Sequence, residues 1–468
     1  MWRIDGRGYS ATVLEKLVTL GGDVKSFERA HFLAGTVAET PASAMQIRRL
    51  THQIGRELAA TRDERAERHR YRQLAPDSNQ PPVELACVEM DGGRINTRAA
   101  SGGRGVHEAA WRESKVACLW RMTGPTFEHD PHPELPRCFA DRAHVPKLVR
   151  EVKRLAGSSA ESRSEKPRGA SCDDAGQDRR TETGTEPGHA AAHANDPGGA
   201  KPDATTSAKP NAEASAKPDA ERERWQPERL FRSCVASLRD VHGFGPLVAA
   251  EAQARGFYQA ERRVFLGDGD TKNWTVHRLH FPQFIGVTDF MHVVGYVFSS
   301  ATALEPRESW PLYLRHATAC WQGRVDEVIG ELDAWTAQHP LPAATKLGDI
   351  PDDDPRKIVH HTATYLKNNR ERMDYANYRM HGLPTTSSLV ESLIKEFNLR
   401  VKGTEKYWNR ASEESVVNAP STGVSDAEAI LQVRAALLCD DPRLSRHIRS
   451  RPGCPFVRRT TAHTARAA

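Results

Sequence analysis

From Ser158 to Arg224 the chain is rich in Ala, Ser, Gly, Pro, Glu, Asp and Lys and holds almost no large apolar residue. Such a stretch cannot bury enough surface to offset the entropy of ordering it, so the sequence predicts a disordered linker. Inside it Ala200-Lys201-Pro202-Asp203, Ala208-Lys209-Pro210-Asn211 and Ala216-Lys217-Pro218-Asp219 recur at a fixed spacing, the pattern of an expanded spacer rather than a solenoid. Any folded core must therefore be assembled from the segments on either side. With 468 residues there is length enough for two or three domains, although only 38% are hydrophobic.

Charge and cysteine usage narrow the class. Lys and Arg total 66 against 61 Asp and Glu, a net charge of +5, which is compatible with a nucleic-acid partner without requiring one. Eight cysteines form no C-x-x-C pair, which argues against a zinc ribbon and a disulfide scaffold and suits a reducing cytoplasm. The first residues carry charge where a signal peptide needs an apolar core. The longest apolar stretch, Phe281 to Phe298, contains Asp289 and His292, so no membrane span is expected.

Ahead of the linker, helices are predicted over Ala11 to Leu20 and Ala42 to Ala59, separated by Ser26-Phe27-Glu28-Arg29-Ala30, in the manner of a helix-turn-helix. Ile47, Leu50, Ile54 and Leu58 follow helical spacing and should face inward, leaving Arg48, Arg49, His52 and Arg56 outward as a DNA-reading face or simply a solvated basic one. A strand over Val83 to Met90 should end in a hairpin turn at Asp91-Gly92-Gly93 and return over Arg94 to Arg98, with a third strand through Lys115 to Leu119. Beyond the linker we expect a helix over Gly243 to Arg255, a strand over Arg263 to Leu266, and helices over Asp289 to Leu304, Trp310 to Leu332, Pro355 to Asn369, Ser388 to Asn398 and Ala427 to Leu438.

Asp91, Asp268 and Glu391 stand where a mixed sheet and a following helix would expose them. Carboxylates at strand ends can converge on hard divalent cations despite their separation in sequence. Each also has a local reading: Asp91-Gly92-Gly93 is turn chemistry, so is Gly267-Asp268-Gly269-Asp270, and Ser388-x-x-Glu391 fits a capping box.

Longer strings shift that balance. Glu89-Met90-Asp91-Gly92-Gly93-Arg94, Gly267-Asp268-Gly269 with Asn273-Trp274, and Gly382-Leu383-Pro384-Thr385-Thr386-Ser387-Ser388-Leu389-Val390-Glu391 resemble the active-site blocks of bacterial insertion-sequence transposases of the ISKra group, distantly Mutator-like. Further similarity runs through Trp111 to Leu119, Tyr365 to Tyr378, Asn398 to Lys406 and Ala427 to Leu438. The resemblance implies an α/β fold with a ribonuclease H-like catalytic core and an all-helical insertion between the second Asp and the Glu, here 123 residues apart (391 − 268 = 123). It implies a DDE triad at Asp91, Asp268 and Glu391 holding two Mg²⁺ or Mn²⁺ ions, with Asp91 between the two. Asp268 is preferred to Asp270 because it directly follows the apolar strand and occupies the family's Asp-Gly position.

Asp289-Phe290-Met291-His292 resembles a D-x-x-H element that supports the site, against the alternative of a plain N-cap and an ordinary histidine. Lys395, Arg400, Lys402, Lys406 and Arg410, interleaved with Tyr407 and Trp408, are candidates to clamp DNA phosphates and stack an end base, or else a solvated face and a core Trp. Trp310, Trp321 and Trp335 are expected to fill the insertion's core. Glu128-His129-Asp130-Pro131-His132 with Cys138 only superficially suggests a metal site.

The expected organisation is a helical DNA-binding unit over residues 1–75, core over 82–156, linker over 157–224, core over 225–290, helical insertion over 291–380, catalytic helix region over 381–440 and a flexible tail over 441–468. The implied activity is cleavage at element ends followed by strand transfer into target DNA, by a homo-oligomer on double-stranded DNA in the cytoplasm at the nucleoid. Two rivals remain open: a truncated, non-catalytic DNA-binding derivative and a ribonuclease H-like nuclease.

Overall fold

The computed structural model describes residues 9–77, 81–98, 110–151, 225–341, 347–402, 406–409 and 424–451, with the backbone alone at residue 110 and residues 388–391. The expected linker lies outside the described residues.

Three helices lead the chain: α1 (Ala11–Asp23), α2 (Phe27–Thr36) and α3 (Ala44–Arg70). Each begins at a serine whose hydroxyl accepts a backbone N–H of the first turn: Ser10 from Val13, Ser26 from Arg29 and Ser43 from Gln46. The segment from Ser26 to Ala30 that reads as a separator is thus the start of a helix, because Ser26 acts as a cap and not as a turn residue. Ile47, Leu50, Ile54 and Leu58 do face inward, where they meet Leu14, Leu17 and Val18.

β1 (Leu85–Arg98) contradicts the predicted hairpin at Asp91-Gly92-Gly93. It runs straight through those residues, pairing antiparallel with β2 (Ala110–Thr123) from Leu85↔Met122 to Thr97↔Ala110. Continuous ladder bonds along both strands outweigh the local turn preference of Asp-Gly. The sheet continues through β3 (Glu228–Ser237), β4 (Arg262–Gly267) and β5 (Ile285–Thr288) in the order β3-β2-β1-β4-β5, and β6 (Trp408–Asn409) pairs with the end of β1. β2 runs antiparallel to both of its neighbours, β3 and β1, whereas β1, β4 and β5 are parallel. Parallel neighbours need crossovers, supplied by α4 (Val241–Ala254) between β3 and β4 and α5 (Thr271–His280) between β4 and β5. The protein is therefore a mixed α/β structure on a mixed sheet.

Strand alternation divides the core. Leu85 and Cys87 face one cluster with residues of the later helices, and Ala86, Val88 and Met90 face another with α4. Residues 290–380 hold α6 (Phe290–Leu304), α7 (Ser309–Trp321), α8 (Val325–Gln338), α9 (Pro355–Asn369) and α10 (Tyr375–Met380). The helical stretch expected over Trp310 to Leu332 holds two helices, parted where Gly323 takes a positive φ. Trp321 is core, with Trp310 and Trp335 packed against the same cluster. Asp130 is gripped by buried Arg379 through both guanidinium arms, and the His132 ring is bonded to the Glu134 carbonyl, so this segment is structural.

The last helices are α11 (Ser388–Val401), α12 (Asp426–Leu438) and α13 (Arg443–Ser450). The tail expected from residue 441 begins with α13, which buries Leu444 and Ile448 against α1 and α3 residues. α3 and α12 approach so closely that a Cβ at Gly55 would lie 2.2 Å from the Ala429 carbonyl oxygen. Among the described residues no helix is long and apolar enough to cross a membrane.

Candidate active site

Register brings the sequence's aspartates together. β1 and β4 pair in parallel as far as Glu89↔Leu266, and Asp91 and Asp268 each lie two residues further on. β4 and β5 pair as far as Gly267↔Thr288, and Asp268 and Asp289 each follow by one. Three aspartates thus line one edge of three adjacent strands, spaced by the ~4.8 Å that separates neighbouring strands. Asp91 belongs to β1 itself rather than to a turn after it.

Each aspartate is held differently. One Asp91 oxygen accepts the Gly92 N–H at 2.6 Å. Asp268 accepts the Asp270 N–H at 2.8 Å and the Asn273 amide at 2.8 Å, while its own carbonyl takes the Tyr365 hydroxyl at 2.9 Å. Gly269, with φ of 95°, makes that approach feasible, since a Cβ there would lie 2.5 Å from the Tyr365 ring. Asp270 instead caps α5 by accepting the Lys272 N–H, which leaves Asp268 as the aspartate beside Asp91.

Asp289 is fully buried and has no lone pair to spare. It accepts N–H bonds from Met291 (3.1 Å) and Ser387 (3.0 Å), the His292 ring at 2.8 Å and the Ser387 hydroxyl at 2.6 Å. Asp289 both caps α6 and orients the His292 ring.

Electrostatics set this edge apart. Burial and the Asp268 charge push Asp91 up to about 7, against the Gly92 hydrogen bond. Burial also raises Asp268. Burial alone would lower His292, but the Asp289 hydrogen bond and the charges of Asp289, Asp268 and Asp91 raise it to about 9, so it is a cation at neutral pH. Among the described residues no three His, Cys, Asp or Glu side chains are grouped to hold a metal ion. The carboxylates of Asp91 and Asp268 are oxygen donors of the kind a hard divalent ion takes, and burial raises the proton affinity of both.

Glu391 lies on the first turns of α11, and its side chain is outside the described residues. The N-cap is Ser387, one residue ahead of the Ser388 of the expected capping box, and its hydroxyl goes to Asp289 instead of to the helix. That bond ties the start of α11 to the end of β5. Ser387, Asn273 and Tyr365 went unrecognised as site residues in the sequence, although each lies in or beside a string that carries the resemblance.

The basic residues divide. Arg48 and Arg56 bind Asp426 at 3.1 and 2.7 Å, and His52 is buried on the same carboxylate at 3.0 Å, so this face of α3 is an internal seam. Arg49 stays exposed. Arg400 is 2% exposed, donates to the Gly21 carbonyl at 2.8 Å and packs over Phe27 and Trp408. Burial and Arg434 lower it to about 10, and it cannot reach a phosphate at the surface. Lys406 donates to the Leu399 and Arg400 carbonyls at 3.0 Å each, answering the free carbonyls at the end of α11. The Trp408 ring is buried, with its N–H on the Val401 carbonyl, and is no platform for a base. Lys395 is half exposed and paired with Glu151 at 2.6 Å, Lys402 is exposed, and Arg410 lies outside the described residues. No known protein family, curated protein or solved structure matches this chain.

Proposed function

We propose that the protein is a DDE-type DNA transposase that cleaves DNA at insertion-sequence ends and transfers the strand into target DNA. The observation that carries this reading is the placement of Asp91 and Asp268, each two residues beyond the last pair of the parallel β1–β4 ladder, where burial and the Asp268 charge raise the Asp91 carboxyl. Support for a ribonuclease H-like core comes from the strand order β3-β2-β1-β4-β5, antiparallel then parallel, followed by an all-helical stretch before Glu391.

Asp91 and Asp268, with Glu391 as third donor, are the residues that would hold two Mg²⁺ or Mn²⁺ ions. When bound, such a pair supplies activation of the attacking oxygen and stabilisation of the leaving one in phosphodiester chemistry. The chain's own residues do the positioning. Asn273 and Tyr365 fix the Asp268 side chain and backbone, and Asp289 holds Ser387 and thereby the first turn of α11. Protonated His292 offsets part of the carboxylate charge. Exposed Arg49 and Lys402, and half-exposed Lys395, remain candidates for contacts to DNA phosphates, with two or more copies needed to bring two element ends together.

The test incubates the purified protein with the DNA flanking its own gene in Mg²⁺ or Mn²⁺, comparing wild type with Asp91→Asn and Glu391→Gln. Cleavage and joining in wild type, each lowered about 10³-fold or more in both variants, support the transposase. Cleavage without joined strands points to a nuclease. No activity in wild type, with one end sequence still bound, points to a non-catalytic DNA-binding derivative.

A further inference from the structure

A second charged region lies at the β3 edge of the sheet, at the other end of the strand order from β4 and β5. Glu251 on α4 is 6% exposed and accepts four groups: Arg255 at 2.9 Å, Arg443 at 2.5 Å, Arg65 at 3.3 Å and the Ser233 hydroxyl at 2.5 Å. Three of these donors converge on Oε1 and Arg65 alone takes Oε2. Asp441, just ahead of α13, faces Arg255 at 3.1 Å, Arg446 at 3.2 Å and Arg443 at 3.7 Å. Four guanidiniums therefore share two carboxylates, a formal excess of two positive charges (4 − 2 = 2), or one when exposed Asp77 nearby is counted. Arg62, a fifth arginine on the same walls, is already matched by Glu428 and Asp63.

These arginines border a cavity of about 260 Å³ between α3, α4 and α13. It is smaller than the roughly 300–1,000 Å³ of pockets for drug-sized ligands, so its occupant must be compact. Arg65 and Arg446 each bind their carboxylate through one guanidinium nitrogen, which leaves the rest of two planar donor forks for a ligand. Paired forks with excess positive charge suit a tetrahedral dianion, to which guanidinium donates bidentately.

We infer that this cavity binds a phosphate group, separately from the carboxylate edge and independently of the proposed transposase activity. The group comes either as a free phosphate or from the backbone of a nucleic acid. Its binding ties α3 to α4 and α13 and stabilises the junction between the leading helices and the sheet by mass action.

Calorimetric titration of the full-length protein with inorganic phosphate, against chloride at matched ionic strength and in chelator, tests the inference. A parallel arm titrates a short DNA duplex. The variants are Arg65→Ala/Arg446→Ala and, as control, Arg449→Ala, an exposed arginine of α13 that pairs with Glu15 rather than bordering the cavity. Wild type and the control should bind phosphate alike, and the double variant should bind it roughly tenfold more weakly or worse. The same loss seen with the duplex alone assigns the phosphate to nucleic acid. Should the double variant fail to fold, Arg446→Ala alone, whose side chain is 63% exposed, carries the comparison. Neither probe binding, or both binding with no dependence on Arg65 and Arg446, overturns the inference.

Discussion

The protein handles carboxylates in two opposite ways. At the seam of α3, α4, α12 and α13 each acid is surrounded by cations: Asp426 by Arg48, Arg56 and His52, Glu251 by Arg65, Arg255 and Arg443, and Glu57 by Arg451 and His447. Although burial alone would raise them, these partners hold Asp426, Glu251 and Glu57 below the usual carboxylate range. At the edge of β1, β4 and β5, burial and neighbouring acids push Asp91 and Asp268 the other way, with His292 as the cation in reach. Even Glu113, whose carboxylate would lie 3.5 Å from a Cβ on Gly92, is neutralised by Lys115 and Lys272. An acid held low by arginines contributes to the fold. One held high in a cluster of acids costs stability, and such a cost marks a candidate for chemistry.

Breaking the seam should cost most. Glu251→Gln leaves three arginines around a neutral amide, and we expect a loss of about 3–5 kcal/mol in urea unfolding. Asp91→Asn, in chelator at pH 8, should leave the unfolding midpoint unchanged or raise it; a comparable loss there would erase the distinction between the two regions. Gly55→Ala comes next. In an exposed helix this change would add about 1 kcal/mol of stability, but here the new methyl meets the Ala429 carbonyl, so a loss of roughly 1–3 kcal/mol is expected in the same measurement.

Asp426→Asn should destabilise by about 2 kcal/mol at neutral pH. Its folded pKa is depressed, so the stabilisation is fully present above the unfolded value near 4 and is lost as the pH falls below it. Thermal midpoints of wild type and variant should therefore draw together progressively as the pH falls below about 4; parallel curves would show that the Asp426 charge is not what holds the seam. The smallest effect belongs to Ser387→Ala, which removes one hydrogen bond to Asp289 while the backbone N–H bond persists, at about 1 kcal/mol. No change in the melting temperature would mean that Ser387 does not hold α11 to β5.

Much of this organisation was legible along the chain because it is local. Helical spacing of Ile47, Leu50, Ile54 and Leu58 identified the inner face of α3, and the helix expected over Pro355 to Asn369 is α9 with those bounds. Asp268 after an apolar strand and Asp289 at a helix start were also visible. The same local logic misplaced the hairpin, because a ladder from Leu85 to Thr97 decides where β1 ends and Asp-Gly-Gly does not. It set Arg48, Arg56 and Arg400 outward, because nothing within a helix reveals that Asp426 or the Gly21 carbonyl arrives from hundreds of residues away.

The sequence by itself determined the longer periodic helices, the strands leading to Asp91 and Asp268, the mixed α/β class and the acidic residues worth weighing, since propensity and periodicity act over a few residues. Tertiary structure alone decided which carboxylates meet cations and which meet each other, because that depends on strand register and helix crossings between distant segments. Asp91 and Asp268 became neighbours through the pairing of β1 with β4, and Asp426 became a salt-bridge hub through the packing of α12 on α3.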